Sequence, residues 1–236
     1  MKKAIIIGAS SGIGKALAEE LADQGYSLGL VSRRLELLQQ LQEGLSTPSF
    51  IKQIDITQTE QAMEELSLLI QEMDGVDLIV INAGTGFSDS NMDWTKEKIT
   101  IDTNVVGFVA MANVAYRYFL ECGRGHIVGI SSIAAHIVNG NTPAYSASKA
   151  CISNYMRGMR LNARKANAPI IITDIQPGFV DTPLIKDRKK IFWMASAEKA
   201  AKQIYAAIKK KKKHAYITKR WRIAAWIAKV LPETFY

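Results

Sequence analysis

Short apolar runs alternate with longer amphipathic stretches along the whole chain, and this alternation constrains the fold more than any other feature. Strands are expected at 3–8, 27–32, 50–55, 78–82, 126–131, 170–175 and 215–218. Leu78, Ile79, Val80 and Ile81 are apolar at every position, as are Ile170, Ile171 and Ile172. Such runs suit a parallel sheet covered on both faces, because a strand with one wet face alternates instead. Helices are expected over 12–23, 34–42, 59–73 and 94–122, with another opening at Pro143 and ending before Pro169. Thr142 would be its N-cap and Pro143 its first residue, where a missing N–H costs nothing. Repeated strand–helix–strand order with short links predicts right-handed crossovers and one doubly wound α/β sheet of about seven strands.

The chain has 236 residues, enough for one domain with a sizeable core. Nearly half of them are hydrophobic and the charged share is ordinary, which excludes a disordered or fibrous chain. The apolar run from Ala4 to Ile7 is cut off by Gly8, too short for a signal-peptide core. No stretch approaches the roughly 20 apolar residues of a membrane span. Cys122 and Cys151 make no disulfide framework and no metal-ligand spacing, so no metal is expected. Both fall in expected helices and read as buried free thiols, which fits a reducing, cytoplasmic compartment. The net charge of +8 is uneven: lysine and arginine crowd the C-terminal part, including the run Lys209 to Lys213.

Directly after the first expected strand comes Gly8-Ala9-Ser10-Ser11-Gly12-Ile13-Gly14, and then a helix. This is the context of a dinucleotide-binding turn, and it makes the fold Rossmann-like. Gly8 lets the chain turn, Gly12 lets backbone approach phosphate, and Gly14 lets helix and strand pack closely. The helix N-terminus adds N–H groups and partial positive charge for a pyrophosphate. The second strand ends Ser32-Arg33-Arg34, where an NAD site usually carries a carboxylate for the ribose 2′-OH. The Arg33 guanidinium beside the Ser32 hydroxyl suits a 2′-phosphate instead, so NADP(H) is expected over NAD(H) and Arg33→Ala is expected to impair NADPH use.

Further on, Ser132 is followed by Tyr145 and, one helical turn later, Lys149. The i, i+4 spacing puts the last two on one helix face. A free tyrosine has a pKa of about 10, so acid–base work near neutrality asks for a drop of roughly three units. An exposed lysine supplies only about 1 kcal/mol at contact, so the pair is expected in a desolvated cleft.

Taken together, these residues resemble the short-chain dehydrogenase/reductase superfamily over nearly the whole chain, from about Lys3 to Thr218. The resemblance implies that Gly8, Ser10, Ser11, Gly12, Ile13 and Gly14 form the phosphate turn. It places Asp55 and Ile56 at the adenine, and Asn82, Ala83 and Gly84 under the cofactor ribose. Asn104 would order a water in a proton relay. Ser132 would polarise a carbonyl, Tyr145 would be the general acid in reduction, and Lys149 would hold the ribose and depress the tyrosine pKa. Pro177, Gly178, Val180 and Thr182 would lie beside the nicotinamide, with Ile175 also near its carboxamide. Two departures are Ile7, where the family usually has Thr, and Ile81, where it often has a second Asn. Both affect local sheet bonding rather than chemistry.

The reading is therefore an oxidoreductase moving a hydride between NADP(H) and a small-molecule carbonyl or alcohol. Residues 183–195 would be a mobile lid, and Leu184, Ile185, Ile191, Phe192, Trp193 and Met194 would give it an apolar inner surface for an apolar substrate. Residues 1–218 would form the catalytic domain and 219–236 a basic amphipathic tail. Ile223, Trp226, Ile227, Val230 and Leu231 share one helical stripe, with Arg222 and Lys229 on the other side. Such a helix either docks on protein or lies on an anionic membrane through residues 219–231. No nucleic-acid module accompanies the lysines, so no nucleic-acid partner is expected. By analogy with the family, a homodimer or homotetramer is expected. Two other classes remain: a dinucleotide-binding regulator without turnover, and a membrane-surface interaction protein led by its tail.

Overall fold

The computed structural model describes residues 1–185 and 193–228. In chain order it contains β1 (Lys3–Ile7), α1 (Gly12–Asp23), β2 (Ser27–Ser32), α2 (Leu35–Glu43), β3 (Ser49–Gln53), α3 (Thr59–Glu72) and β4 (Leu78–Ile81). Then come α4 (Trp94–Ile101), a π-helical turn (Asp102–Gly107), α5 (Phe108–Glu121), β5 (Gly125–Ile130) and a 3₁₀ turn (Ile133–Ala135). The remainder is α6 (Pro143–Lys165), β6 (Ile170–Pro177), α7 (Ala197–Lys209), β7 (His214–Ile217) and α8 (Trp221–Ala228).

The seven strands form one sheet in the order β3-β2-β1-β4-β5-β6-β7. Every pairing is parallel. Alternate residues of each strand serve opposite cores. Ala4 and Ile6 of β1 pack with Leu17, Leu21, Leu38 and Ile204 from α1, α2 and α7. Ile5 and Ile7 pack with Leu66, Phe108, Met156 and Ile152 from α3, α5 and α6. Helices thus cover both faces, as the all-apolar strands require. The chain winds outward from β1 to β3, then restarts at β4 on the other side of β1. That reversal opens a crevice beyond the C-terminal ends of the strands, the usual ligand position in this architecture.

Several expectations are corrected. Cys122 and Cys151 are exposed, not buried. Cys122 caps the end of α5, and Cys151 sits on the solvent side of α6 next to buried Ile152. Thr142 does occupy the N-cap of α6 but makes no side-chain cap bond; its hydroxyl turns back to the Asn139 carbonyl, 3.4 Å away. The helical stretch from Trp94 to Glu121 is long and apolar enough to cross a membrane by length and composition. Phe108, Met111, Ala112, Ala115 and Phe119 of that stretch pack into the core, which accounts for its apolar face.

The tail helix is rotated relative to expectation. α8 docks through Trp221 and Ala225, which pack on Ile133. Ile223, Trp226 and Ile227 of the expected stripe face outward. Val230, Leu231 and Lys229 lie outside the described residues, as do Ile191 and Phe192 of the expected lid. Lys209 to Lys213 precede β7 while α8 follows it, so the lysine run and the tail helix lie at opposite ends of the sheet.

Candidate active site

The crevice is a cleft of about 1410 Å³, and nearly all the expected cofactor residues line it. β1 delivers the glycine turn, and the glycines there have no room for a side chain. A Cβ on Gly14 would fall 2.0 Å from the Gly8 carbonyl oxygen, and one on Gly8 would fall 2.6 Å from the Ala83 nitrogen. Asn82 donates from Nδ2 to the Gly8 carbonyl at 2.8 Å, tying the end of β4 to the turn. Across the cleft, Thr182 comes so near Gly12 that a Cβ there would meet Cγ2 at 3.0 Å. Ser11 is the N-cap of α1 without a side-chain cap bond. The first N–H groups of α1 therefore open into the cleft, which suits a diphosphate.

At the end of β2 the two arginines part company. Arg34 donates from Nη2 to Ser10 Oγ and to Ser11 Oγ, both at 2.8 Å. Its backbone N–H donates to Ser32 Oγ at 3.0 Å. Ser10, Ser11, Ser32 and Arg34 thus converge on one corner of the cleft. Arg33 also lines the cleft and reaches Asp55 at 4.0 Å, an exposed pair. Ile54, Asp55 and Ile56 line the adjoining wall.

The other half of the site stands on β5 and α6. Tyr145 and Lys149 project from the first turns of α6, with the Lys149 nitrogen 5.6 Å from the centre of the tyrosine ring. The ring packs flat enough on Gly86 that a Cβ there would strike it at 2.6 Å. Ser132 opens the 3₁₀ turn and accepts from the Ala134 N–H at 3.1 Å. Its hydroxyl donates to the Pro177 carbonyl at 3.4 Å, and Ser132 and Tyr145 line the same cleft. Lys149 is buried and donates to the Ile130 carbonyl at 3.0 Å. Asn104 is fully buried in the π-helical turn. Its amide donates to the Thr85 carbonyl at 2.7 Å and to Ser148 Oγ at 2.9 Å, while its oxygen accepts from the Thr85 N–H at 2.8 Å. A Cβ on Gly84 would lie 3.2 Å from Asn104 Oδ1 and 3.3 Å from Lys149 Nζ, so all three meet at one point.

Burial raises the Tyr145 pKa, and the Ser132 hydroxyl only partly offsets it. Burial lowers that of Lys149 to about 8, opposed by the charge of Asp174. The expected pull of Lys149 on the phenol is thus not seen among the protein's own groups. Its ammonium is bonded to Ile130 instead. At neutral pH the phenol is protonated and the amine is charged.

Sequence reasoning missed four residues around this cleft. His136, at the end of the 3₁₀ turn, lines it and bonds through Nε2 to Gln176 Oε1 at 2.9 Å. Gln176 and Asp174 form a buried polar pair behind it. Trp221 closes one wall, lying over Gly178 so tightly that a Cβ there would meet Nε1 at 2.0 Å. A carboxylate inside the apolar stretch 170–177 was a readable signal for Asp174; the other three depend on tertiary placement.

A glycine turn into a helix at the switch point, facing a serine, tyrosine and lysine across one cleft, defines a dinucleotide-dependent oxidoreductase architecture. Residues 2–193 match the family model described as short chain dehydrogenase. The chain belongs to that family, whose members bind a nicotinamide dinucleotide, act on small molecules and commonly oligomerise. It is 35% identical over 188 residues to an uncharacterized oxidoreductase of Myxococcus xanthus, covering 78% of this chain and 74% of that one. The fold superposes on a short-chain type dehydrogenase/reductase from Mycobacterium marinum with a TM-score of 0.82 at 25% identity, covering 91% and 92% of the two chains. A structure of ElxO with NADP bound gives 0.76 at 25% identity, covering 87% and 90%.

Proposed function

We propose that this protein is an NADPH-dependent carbonyl reductase acting on apolar ketones, aldehydes or 3-oxoacyl compounds. The observation that carries the reading is Ser132, Tyr145, Lys149 and Asn104 meeting at one end of a cleft whose other end holds the glycine turn. Convergence of Arg34 with Ser10, Ser11 and Ser32 supports a 2′-phosphate and hence NADP over NAD. The NADP in the ElxO structure agrees with this choice.

Bound NADPH supplies the hydride. Tyr145, kept protonated by burial, gives its proton to the carbonyl oxygen as that oxygen becomes an alkoxide. Ser132 holds the same oxygen and polarises the carbonyl before transfer. Lys149 contributes its charge next to the phenol and a donor for the ribose. Asn104 braces the Thr85 backbone and Ser148, fixing the wall behind Lys149. A raised phenol pKa favours the reduction direction, because a general acid must carry its proton at working pH.

Val138, Phe179, Leu184 and Trp193 are exposed apolar side chains around the cleft or its rim, which favours an apolar substrate. The first test is NADPH oxidation against a panel of long-chain ketones, aldehydes, 3-oxoacyl thioesters and small sugars. Turnover confined to the apolar members is the expected result; turnover confined to sugars would refute the substrate class.

Residues 1–218 form the catalytic domain in this proposal, assembled as a homodimer or homotetramer in the cytoplasm, where the exposed thiols of Cys122 and Cys151 stay reduced. The tail from 219 onward adds a membrane contact. Outward-facing Ile223, Trp226 and Ile227 are flanked by exposed Lys219, Arg220 and Arg222, with no acidic residue between 219 and 228. Co-sedimentation with phosphatidylglycerol vesicles should be lost in Trp226→Glu. Equal sedimentation of the variant and the parent would exclude this surface.

A further inference from the structure

We infer that Asp174 is a positioning residue for catalysis: a buried carboxylate that brackets the Ser132 loop at both ends and ties it to the helix that carries Tyr145 and Lys149. The inference rests on the reductase reading and adds a residue to it.

Asp174 lies mid-strand in β6, between the central sheet and β7, and is 1% exposed. An uncompensated carboxylate at such a depth costs several kcal/mol. Here every approach is occupied by a donor. Ser131 Oγ donates to Oδ1 at 2.6 Å. Ser153 Oγ donates to Oδ2 at 2.6 Å and Gln176 Nε2 donates to the same oxygen at 3.0 Å. His214 Nδ1 stands 3.4 Å from it. Burial alone would push the carboxyl pKa up, but these bonds hold it below the ordinary value, so it is ionised at neutral pH.

The donors are not scattered. Ser131 immediately precedes Ser132. Gln176 presents its amide nitrogen to Asp174, which forces its oxygen to face His136, and His136 Nε2 donates to that oxygen at 2.9 Å. His136 closes the turn that Ser132 opens. One carboxylate therefore clamps the loop directly at its start and through Gln176 at its end. Ser153 sits one helical turn after Lys149 on α6, so the same carboxylate fixes the helix that carries Lys149 and Tyr145.

The charged and titratable groups facing Asp174 are Lys149 and Arg160 from α6 and His214 and Tyr216 from β7; Ser131, directly after β5, adds a hydroxyl. Asp174 opposes the burial that drives Lys149 toward its neutral form. Removing the negative charge lowers the pKa of Lys149, and the charge that Tyr145 works beside is then lost at lower pH.

The test is D174N, which keeps the shape and removes the charge. Its kcat should fall about ten-fold with NADPH affinity unchanged, and the alkaline limb of its kcat profile should move down by about one pH unit. The Lys149 ¹³Cε shift, followed by NMR across pH, should report the same displacement without any turnover. Wild-type kcat with an unmoved Lys149 midpoint would overturn the inference. Should D174N not fold, S131A keeps the charge and releases one end of the loop; a loss of kcat with an unchanged NADPH KM is expected, and full activity would be contradictory. A parent enzyme with no carbonyl-dependent NADPH oxidation would count against the reductase reading, and the Lys149 titration would still decide the role of Asp174.

Discussion

Tyr145→Phe should lower kcat by about 10²- to 10⁴-fold, the range set by loss of a positioned general acid. Only the phenolic oxygen is removed. The ring remains packed on Gly86. Ser132 still meets the carbonyl oxygen but cannot replace the proton, because its own hydroxyl is far less acidic. NADPH affinity should stay within about two-fold, since the phosphate turn and the Arg34 corner lie at the other end of the cleft. Steady-state kinetics with fluorescence titration of NADPH separates the two quantities. A variant with near-normal kcat would remove Tyr145 from the chemistry, and one that no longer bound NADPH would make it a structural residue.

Arg34→Ala should raise the KM for NADPH by about 10- to 100-fold, corresponding to one lost charge-assisted contact of about 1.5–3 kcal/mol. The KM for NADH should change little. Arg34 is held by Ser10 and Ser11, so its guanidinium is already in place before a 2′-phosphate arrives. Arg33 is the contrast. Its side chain is 63% exposed and its partner Asp55 stands at 4.0 Å, so Arg33→Ala should have the smaller effect. Comparing NADPH/NADH selectivity in the two variants gives the ranking. Equal losses with both cofactors in Arg34→Ala would mean that the arginine merely supports the turn.

The frame of the molecule was legible because it depends on pattern. All-apolar strands, glycine after the first strand and Pro143 at a helix start each encode local structure, and each expected strand and helix of the core falls within a few residues of its place, while α7 was not expected and the long helix from Trp94 is interrupted by the π-helical turn. The proposed pair was legible through spacing, since α6 needs only its own periodicity to put Tyr145 and Lys149 on one face; the roles proposed for Ser132 and Asn104 rested on the resemblance. Rotation and depth were not. Whether Arg33 or Arg34 bonds the serines of the turn depends on how β2 meets α2, and nothing in the dipeptide distinguishes them. Of the tail stripe, Ile223, Trp226 and Ile227 do lie on one exposed side of α8, because Trp221 and Ala225 take the inner side against Ile133. Cys151 was misplaced for the same reason: one step along α6 from buried Ile152 turns a side chain toward water. The π-helical turn around Asn104 is a further case, because a single extra residue per turn leaves no mark in an apolar helix.

The phenol of Tyr145 illustrates how the parts act together. Burial keeps it protonated, and in the proposed mechanism Ser132 shares the carbonyl oxygen with it while Asp174 holds the Ser132 loop. Pre-set donors in a desolvated cleft cost little reorganisation at the moment of transfer, which is where such sites gain their rate.

The most direct measurement of the central claim is isotopic. The protein is incubated with NADPH carrying deuterium at C4 and with a long-chain ketone, and the alcohol is examined by mass spectrometry. Transfer of one deuterium to the former carbonyl carbon, abolished in Tyr145→Phe, is the predicted result. NADPH that binds tightly yet yields no deuterated alcohol from any carbonyl compound would contradict the account and leave a dinucleotide-binding protein without turnover.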